Sequence, residues 1–553
     1  MDTIPRKRLG EILVESGRIT EAQLKEAMAC QTPRKRLGTV LQEMGLVSEQ
    51  EVVDTLSAQL GIPSLSLETF LIDPDVVELI PESLARRHSA IALFLVGDEL
   101  TVAMSDPSDI VAQDELRRAS GRRIQCVVAP PSAINRALDD YYSLGHSLQD
   151  VIRSFEGEAQ GGPEEAMPVV RLVNRILFQA VKLGASDIHF EPREKDYRVR
   201  FRIDGVLQEI LRPPVHLSAA ITSRLKILAS LDISEKRLPQ DGRFSLTVGH
   251  RDIDLRLSSL PTAFGEKVVL RILYKSSLLM GVDQLGLSPQ EKGDFHYLLG
   301  VPYGLVLVTG PTGSGKTTTL YAMLQYLNST DRNIVTVEDP VEYQFNDINQ
   351  MQVNPRVDLT FSRGLRAILR QDPDIIMVGE IRDDETAMIA IRAALTGHLV
   401  LSTVHTNDAV NSVGRLIDMG VKPYLLASSL VGVIAQRLVR RVCEECVRYK
   451  TPDSDVLKRW EIEPMLIEKW AEPKGCKACN RTGYKGRRAI FEILRVDESI
   501  REMILQSESS VAIRKAARSK GLSSLRASGI RLVSQGITTM EEVARVTAFV
   551  EGE

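Results

Sequence analysis

The sequence predicts an α/β protein of several domains, one of which contains an open, largely parallel sheet. Three observations support this fold class. The chain has 553 residues, which is more than one hydrophobic core usually holds. Short apolar runs typical of buried strands alternate with helical segments in the second half of the chain. One of these strands is joined to the following helix by a glycine-rich turn at residues 310–317.

Composition and charge narrow the class of protein. Apolar residues make up 43% of the chain and charged residues 26%, as in soluble globular proteins. The net charge of −4 gives no support for a nucleic-acid binder, so no nucleic-acid partner is expected. No apolar run approaches the ~20 residues of a membrane helix, and no apolar signal-peptide segment follows the basic start. The sequence therefore predicts a cytoplasmic protein that meets membranes only through partners.

Residues 1–62 contain an internal repeat with an offset of 28 residues. Each copy predicts a short helix, a turn at its second glycine, and a second helix capped by Thr20 or Ser48. Two interpretations are open. The repeat either duplicates a helical hairpin for packing alone, or presents its recurring Arg, Gly and Gln residues to a ligand. The repeated residues are Arg8, Leu9, Gly10, Leu13, Gly17 and Gln31 in the first copy, and Arg36, Leu37, Gly38, Leu41, Gly45 and Gln59 in the second.

Two further α/β domains are expected before the glycine-rich turn. Residues 63–145 predict a small unit around a hairpin with strands at 90–96 and 100–104. A polar, glycine-rich stretch predicts a flexible linker at 146–166. A middle α/β domain is then expected at 167–277.

The middle domain contains a strictly alternating strand at 197–203. Its alternation places Arg198, Arg200 and Arg202 on one face. This face is either solvated or presented to the nucleotide of a neighbouring subunit, and the sequence does not decide between these. Further candidates for the second role are Arg243, Arg256 and Arg271.

The turn at 310–317 matches the phosphate-binding pattern G-x-x-x-x-G-K-[ST] without a mismatch. An apolar strand precedes it and a helix follows, so backbone N–H groups and the helix N-terminus would face a phosphate. Lys316 is expected to reach the β- and γ-phosphates of ATP, and the Thr317 hydroxyl to hold Mg²⁺. The predicted nucleotide-binding residues are Gly310, Pro311, Thr312, Gly313, Ser314, Gly315, Lys316, Thr317 and Thr318.

Three later strands in this domain also end in polar residues. They are followed by Glu338, by Glu380 and by His405. Strand C-termini form the ligand edge of an open parallel sheet, so these side chains are expected near the phosphates. Carboxylates at that edge can orient water or hold the metal.

Four cysteines form two C-x-x-C pairs, at 443–446 and 476–479. Four thiolates suit a closed, tetrahedral, structural Zn²⁺ site. A redox pair is the alternative. The predicted zinc ligands are Cys443, Cys446, Cys476 and Cys479.

Several motifs together resemble those of the secretion-superfamily ATPases, which include the type II secretion ATPase and the type IV pilus extension and retraction ATPases. Residues 336–342 resemble their aspartate box, 374–383 their atypical Walker B motif, and 396–406 their histidine box. The resemblance implies a RecA-like core at 278–441 and a PAS-like middle domain. It further implies a tetracysteine subdomain at 442–485. The rest of the chain reads as helices interrupted by glycines, which predicts a helical region at 486–553.

The resemblance also implies roles for individual residues. Glu338 would polarise the attacking water and Glu380 would assist at the metal, while Lys316 would stabilise the phosphates. His398 and His405 would sense or position the γ-phosphate. In a homo-hexamer, arginines of the middle domain would complete a neighbour's site; Arg200 and Arg202 fit that pattern best.

The resemblance predicts ATP-driven pilus or pseudopilus assembly with inner-membrane platform proteins as partners. Type II secretion is the first expectation, because residues 335–344 and 396–407 look closer to that branch, and type IV pilus extension is the alternative. Retraction ATPases typically lack the four cysteines, which argues against the retraction branch. A nucleic-acid motor of the same architecture would need a basic channel, which the net charge does not support. The N-terminal repeat resembles the cyclic-di-GMP-binding domain of some of these ATPases, so cyclic-di-GMP is an expected regulator.

Overall fold

A computed structural model describes residues 9–31, 37–142, 166–274, 280–452, 454–460, 462, 467 and 469–548. The predicted linker, apart from its last residue, lies outside this part of the chain, as do Arg8 and Arg36. The chain divides into two compact units, Met1–Tyr274 and Lys275–Glu553.

The N-terminal repeat forms two helical hairpins. As predicted, Thr20 and Ser48 cap the second helix of each hairpin. Each also forms a reciprocal capping box with the residue three positions later. Leu13 and Leu41, which occupy equivalent positions, are fully buried between the helices. The four helices are α1 (Leu9–Glu15), α2 (Glu21–Cys30), α3 (Leu37–Glu43) and α4 (Glu49–Leu60).

The small α/β unit follows, and its predicted hairpin is confirmed as the first two strands of a sheet ordered β2-β3-β4. Apolar side chains of this sheet pack against the flanking helices. The elements are β1 (Phe70–Leu71), α5 (Pro74–Val77), α6 (Glu82–Arg87), β2 (Ala90–Val96), β3 (Glu99–Met104), α7 (Ile110–Ser120), β4 (Arg123–Val128) and α8 (Pro131–Tyr142).

The middle domain is an antiparallel sheet with two helices on one face. One face carries Phe190, Val199 and Phe201, which are fully buried against these helices. The strand order is β1-β8-β9-β10-β5-β6-β7, so β1 of the small unit pairs in parallel with the edge strand β8. The elements are α9 (Ala166–Lys182), β5 (Ala185–Pro192), β6 (Tyr197–Ile203), β7 (Val206–Leu211), α10 (Ser218–Leu228), β8 (Gln240–Val248), β9 (Arg251–Thr262) and β10 (Gly265–Tyr274).

The second unit contains the predicted open sheet, with strand order β13-β12-β14-β15-β11-β16-β19. Its first six strands run parallel, and β19 is antiparallel to β16. The elements up to β16 are α11 (Pro289–Leu299), β11 (Gly304–Thr309), α12 (Lys316–Leu327), β12 (Ile334–Glu338), β13 (Asn349–Gln352), α13 (Phe361–Ile368), β14 (Ile375–Val378), α14 (Asp384–Leu395), β15 (Leu399–Val404), α15 (Asn411–Asp418), α16 (Pro423–Ser429) and β16 (Leu430–Val442).

The cysteine region leaves this sheet and returns to it. A two-stranded sheet of β17 and β18 closes the excursion between the cysteine pairs. The helical region predicted at 486–553 is wrong at its start, because β19 runs to Arg495 and its apolar residues are buried in the large sheet. The remaining elements are β17 (Arg448–Lys450), α17 (Ser454–Arg459), β18 (Trp470–Glu472), β19 (Tyr484–Arg495), α18 (Glu498–Leu505), α19 (Ser510–Ser519), α20 (Leu525–Ser534) and α21 (Met540–Thr547).

Among the described residues, no helix has both the length and the apolar character needed to cross a bilayer.

Candidate functional site

The glycine-rich loop leaves β11 and enters α12 through backbone conformations that suit glycine. Gly313 and Gly315 have φ angles of +81° and +90°. A Cβ on Gly310 would lie 2.5 Å from the carbonyl oxygen of Gln436, so that position has no room for a side chain. The loop therefore presents backbone rather than side chains at the start of α12, as a phosphate cradle requires.

Lys316 is the first residue of α12, and its ammonium group folds back onto the loop. Its Nζ donates to the carbonyl oxygens of Gly310 at 2.8 Å and Pro311 at 3.2 Å. Burial lowers the pKa of Lys316 to about 8; the charge of Arg437 acts in the same direction, whereas Glu380 opposes it. An anion in the loop would stabilise this lysine in its charged form.

Two hydroxyl groups support the assignment of this loop to a nucleotide. Within the described residues, the buried Ser314 Oγ has no hydrogen-bond partner. A buried hydroxyl without a partner is unfavourable, which indicates a polar ligand. The side chain of Thr317 is exposed at the start of α12, where a bound metal would be reached. The residues present thus fit ATP with Mg²⁺.

Glu338 ends β12 and is only 4% exposed. One carboxylate oxygen accepts from the Tyr321 hydroxyl at 2.6 Å. The other accepts from Thr336 Oγ1 at 2.6 Å and from Gln350 Nε2 at 3.0 Å. Three donors fix the orientation of this carboxylate, and burial beside it raises the pKa of Tyr321.

Glu380 and His405 meet at the same edge of the sheet. Glu380 Oε2 lies 3.6 Å from His405 Nε2, and its Oε1 lies 2.5 Å from Arg382 Nη2. Burial lowers the pKa of His405; Lys316 contributes to the decrease and Glu380 opposes it. Lys316, Glu380 and His405 therefore share one electrostatic environment.

His398 lies at the other end of β15. It precedes this strand, whereas His405 follows it, so about 20 Å of extended chain separates them. His398 Nδ1 bonds to the carbonyl oxygen of Ala393 at 2.9 Å. Both histidines are expected near the γ-phosphate from the histidine-box resemblance. Within one chain, the fold brings only His405 of the two to the edge that carries the loop.

Strand β16 contributes two residues that the sequence analysis misses. Gln436 is 2% exposed, packs against the loop glycines, and accepts from Thr319 Oγ1 at 2.6 Å. Arg437 is 7% exposed, and its charge acts on Lys316. Both residues follow a long apolar run, and only the pairing of β16 with β11 brings them to the loop.

The candidate arginines of the middle domain lie on the polar face of its sheet. Cross-strand pairing places Arg243, Arg256, Arg271, Asp187 and Arg202 in one row across five strands. Asp187 pairs with Arg271 at 3.3 Å and Arg202 at 3.5 Å.

Arg200 lies in the neighbouring row of the same face. Glu191 binds its guanidinium with contacts of 2.9 and 2.7 Å and also pairs with Arg198 at 2.9 Å. Arginine pairing lowers the pKa of Glu191 to about 2, although burial alone would raise it. The carboxylates of Asp187 and Glu191 thus fix the orientation of the arginine side chains on this face.

The four cysteines come together as predicted. Their Sγ atoms all lie within 4.8 Å of one another, and three Sγ pairs are 3.8 Å apart. Tetrahedral Zn–S bonds of about 2.3 Å place sulfur atoms about 3.8 Å apart, so the cluster fits Zn²⁺. Backbone N–H groups of Gly475 and Gly483 donate to Cys446 Sγ and Cys479 Sγ, which stabilises thiolates.

Several recurring residues of the N-terminal repeat have a packing role. A Cβ on Gly10 would lie 2.5 Å from the end of the Leu24 side chain, and one on the equivalent Gly38 would lie 3.0 Å from Val52, so both glycines lie in close packing contacts. The second glycines, Gly17 and Gly45, have φ angles of +71° and +69° at the helix ends.

The other recurring residues are placed less uniformly. Leu9 and Leu37 are half-buried, Gln31 is exposed and Gln59 half-buried. The recurring arginines lie outside the described residues. The fold therefore accounts for the glycines and for the buried Leu13 and Leu41, while a role of the recurring arginines and glutamines in ligand binding stays a prediction.

The chain matches two family profiles. Residues 163–545 match that of the Type II/IV secretion system protein family. Residues 60–148 match that of the MshEN domain. The sequence patterns predict such a domain at the repeat, 1–62, whereas the match begins at residue 60.

Curated relatives agree with the first profile. The type IV pilus assembly ATPase PilB of Myxococcus xanthus is 47% identical, over 98% of this chain and 99% of its own length. The type II secretion system ATPase E of Vibrio cholerae is 50% identical, over 74% of this chain and 80% of its own length.

A solved structure shows the fold alone. The ATPase DotB of Yersinia pseudotuberculosis is 21% identical, covers 68% of this chain and 93% of its own, and superposes with a TM-score of 0.52. The family profile and the two curated relatives decide the classification. The chain therefore belongs to the Type II/IV secretion system protein family and is an ATP hydrolase.

Proposed function

We propose that this ATPase works as a cytoplasmic homo-hexamer that powers the assembly of a pilus-type filament at the inner membrane. The observation that carries the proposal is the arrangement of Lys316, Glu380 and His405 around the glycine-rich loop, in a chain that matches filament-assembly ATPases over most of its length. Membrane association would come through platform proteins.

The roles of the site residues follow from their positions. The loop backbone and Lys316 would bind the phosphates, and Thr317 with Glu380 would hold Mg²⁺, which neutralises charge on the phosphate oxygens. Glu338 would orient the attacking water, because its three donors fix the direction of its carboxylate. His405, kept largely neutral by its lowered pKa, would contact the γ-phosphate region as a hydrogen-bonding group.

Hydrolysis by full-length Glu338→Gln and Glu380→Gln tests these roles. Each should lower kcat by at least about 100-fold while a non-cleavable ATP analogue still binds. The matched control is Glu342→Gln, which makes the same chemical change at the second glutamate of the box that contains Glu338. Wild-type rates in Glu338→Gln would remove that residue from the catalytic role.

The basic face of the middle domain supports action in trans. Arg202 and Arg271 are respectively about a third and more than half exposed, although both pair with Asp187. Mixing two inactive chains tests this idea. In the mixture, Lys316→Ala chains supply intact middle-domain arginines, and Arg200→Ala/Arg202→Ala chains supply an intact phosphate-binding loop. A site shared between subunits can then form from one chain of each kind. Recovered hydrolysis supports a shared site, whereas no recovery from assembled mixtures contradicts it. The sheet of the middle domain packs against α9 and α10, and this arrangement supports the proposal that the middle domain is PAS-like.

Two branches of the family remain to be separated. The end-to-end match to a pilus assembly ATPase favours type IV pilus extension, whereas the higher identity over the shared part supports type II secretion. A chromosomal Lys316→Ala variant in the source organism decides between them. Loss of surface filaments with normal protein secretion assigns the pilus; loss of secreted proteins with normal filaments assigns secretion.

Cyclic-di-GMP binding by the N-terminal region is proposed from the repeated Arg and Gln residues. Calorimetry on the full chain should show binding that Arg8→Ala/Arg36→Ala abolishes. Arg18→Ala is the matched control, because this exposed arginine of the same region pairs with Glu51 and lies outside the repeated pattern. Absence of heat from the wild type would leave the repeat with packing as its role.

A further inference from the structure

The segment 405–409, named the strap, crosses the carboxyl edge of the large sheet. It leaves β15 and makes side-chain or backbone contacts with residues of β11, β16 and β19 in turn. At its start, His405 faces Glu380, which follows β14. These five strands are consecutive neighbours in the seven-stranded sheet, so the strap links five adjacent strands beside the loop.

The contacts of the strap are specific at each strand. The backbone N–H of Thr406 donates to Thr309 Oγ1 at 2.9 Å, at the end of β11. Arg437 Nη2, on β16, donates to the carbonyl oxygen and to Oδ1 of Asn407 at 3.0 and 3.2 Å. The backbone N–H of Ala409 donates to Glu492 Oε1, on β19, at 2.9 Å.

The far end of the strap is also anchored to a C-terminal helix. Asp408 is 1% exposed, and its Oδ2 accepts from Arg514 of α19 at 2.9 Å. The strap thus joins the nucleotide edge to residues for which the sequence analysis expects no role in hydrolysis.

Arg437 lies at the centre of these contacts, and its burial there costs folding free energy. It is 7% exposed, and within the described residues its Nε has no hydrogen-bond partner. Burying an incompletely bonded guanidinium is unfavourable. Its charge also adds to that of Lys316 at the same edge. The bonds of its Nη2 to Asn407 and the opposite charge of Asp408 offset part of this cost, so the energy of the buried arginine depends on the strap.

We propose that Arg437 is a positioning residue for hydrolysis, which holds Asn407 and thereby keeps His405 against Glu380. This inference rests on the proposed role of His405. The guanidinium is suited to the task because one nitrogen reaches both acceptors of Asn407 from a fixed strand. The bonds of Thr406 to Thr309 transmit this restraint along a short segment to His405.

A double-mutant cycle on the full chain tests this coupling, with kcat, KM for ATP and Tm measured for each variant. Arg437→Gln should lower kcat by at least about tenfold and leave KM within about threefold. In the His405→Ala background the same substitution should change kcat by less than about twofold. An unchanged kcat in Arg437→Gln, multiplicative losses in the double variant, or an unaffected His405→Ala enzyme would each overturn the inference.

Arg440→Gln is the matched control. Arg440 lies on the same strand and binds the buried Glu542 at 2.8 Å, away from the strap. This variant should lower Tm yet keep kcat within about twofold of the wild type. An equal fall of kcat in the control would assign a structural role to Arg437 and overturn the inference.

Two measurements keep the outcome decisive. Should Arg437→Gln fail to fold, Arg437→Lys is used in the same cycle, with the same coupling expected and the same results overturning the inference. Lys316→Ala reports on the proposed function separately. Hydrolysis that does not depend on Lys316 would reject that function, whereas Lys316-dependent hydrolysis with multiplicative losses would reject only the role of Arg437.

Discussion

The phosphate-binding loop and the N-terminal repeat are both marked by glycines, but the structure uses those glycines differently. In the loop, a Cβ on Gly310 would meet a backbone carbonyl that is fixed in a strand. In the repeat, a Cβ on Gly10 would lie 2.5 Å from the end of the Leu24 side chain, which can move. A glycine pattern therefore indicates a ligand only when rigid backbone surrounds it and nearby polar groups lack partners.

That second condition also separates the two regions. Beside the loop, Ser314 Oγ is buried without a partner among the described residues, and the Lys316 ammonium donates to carbonyl oxygens of the loop itself. In the repeat, Leu13 and Leu41 fill the helical core. Ligand binding explains features of the loop that packing leaves unexplained. In the repeat, packing accounts for Gly10, Gly38 and the buried leucines, and the left-handed backbone at the helix ends accounts for Gly17 and Gly45.

The largest effect is expected from Gly310→Ala. The new methyl group would displace either Gln436 or the loop, so kcat should fall by at least about 100-fold, as for other misplacements of about 1 Å at a reacting centre. Hydrolysis and binding of a non-cleavable ATP analogue are measured together.

Gly293→Ala is the control for this substitution. Gly293 lies within α11, a methyl group added there would have no atom within 4 Å, and alanine favours helices. Its kcat should match that of the wild type. Unimpaired hydrolysis by Gly310→Ala would show that Gly310 is needed only for packing, as Gly10 and Gly38 are in the repeat.

The next largest effect, on stability, is expected from disrupting the cysteine cluster. The cysteine cluster is comparable with the phosphate-binding loop and not with the repeat, because a ligand explains its geometry better than packing does. The four Sγ atoms lie close together, as they would around a metal ion. Cys476→Ser should release bound zinc and lower the free energy of unfolding by about 2 kcal/mol or more.

Zinc content by elemental analysis and Tm measure this effect. Cys126→Ser, which changes a half-buried cysteine outside the cluster, should leave zinc content unchanged. Purified wild-type protein without zinc and with unaltered stability would contradict the metal assignment.

The sequence predicted the elements whose signal is local. The strands at 304–309 and 399–404 and the capping residues Thr20 and Ser48 follow from apolar runs and helix-start patterns, and the structure confirms them. The Arg face of the strand at 197–203 follows from its alternation in the same way.

The remaining features depend on contacts between distant segments. The long apolar run of β16 gives no sign that Gln436 and Arg437 reach the loop, because that contact arises from pairing with β11. The two histidines share a motif in sequence, yet a fully extended strand separates them in space. The two-residue strand β1 is too short to have a recognisable period.

The two copies of the repeat differ in how closely their first glycine is packed. Gly10→Ala should lower the local stability of its hairpin by about 1–3 kcal/mol, because the methyl group overlaps Leu24. Gly38→Ala should cost less than about 1 kcal/mol, because the contact with Val52 is 3.0 Å and needs only a small shift.

Native-state hydrogen exchange on the full chain measures both substitutions, with hydrolysis as the unaffected reference. Gly10→Ala combined with Leu24→Ala should be less unstable than the sum of the single variants, since the overlap is relieved. Equal costs in the two copies would show that the contact with Leu24 does not set the requirement for glycine.

The smallest effect is expected at the turn glycines. Alanine at Gly17 or Gly45 would meet no atom within 4 Å, so its only cost is the left-handed backbone, about 1 kcal/mol at each site. Asparagine tolerates that conformation better, and Gly17→Asn should recover part of the loss.

Hydrogen exchange in α1 and α2 reports this stability, and calorimetry with cyclic-di-GMP reports binding. Because a turn glycine acts on both through the same backbone, binding should weaken only as far as the hairpin is destabilised. Abolished binding with unchanged exchange would instead mean that the ligand contacts this backbone directly, and the repeat would then belong with the phosphate-binding loop.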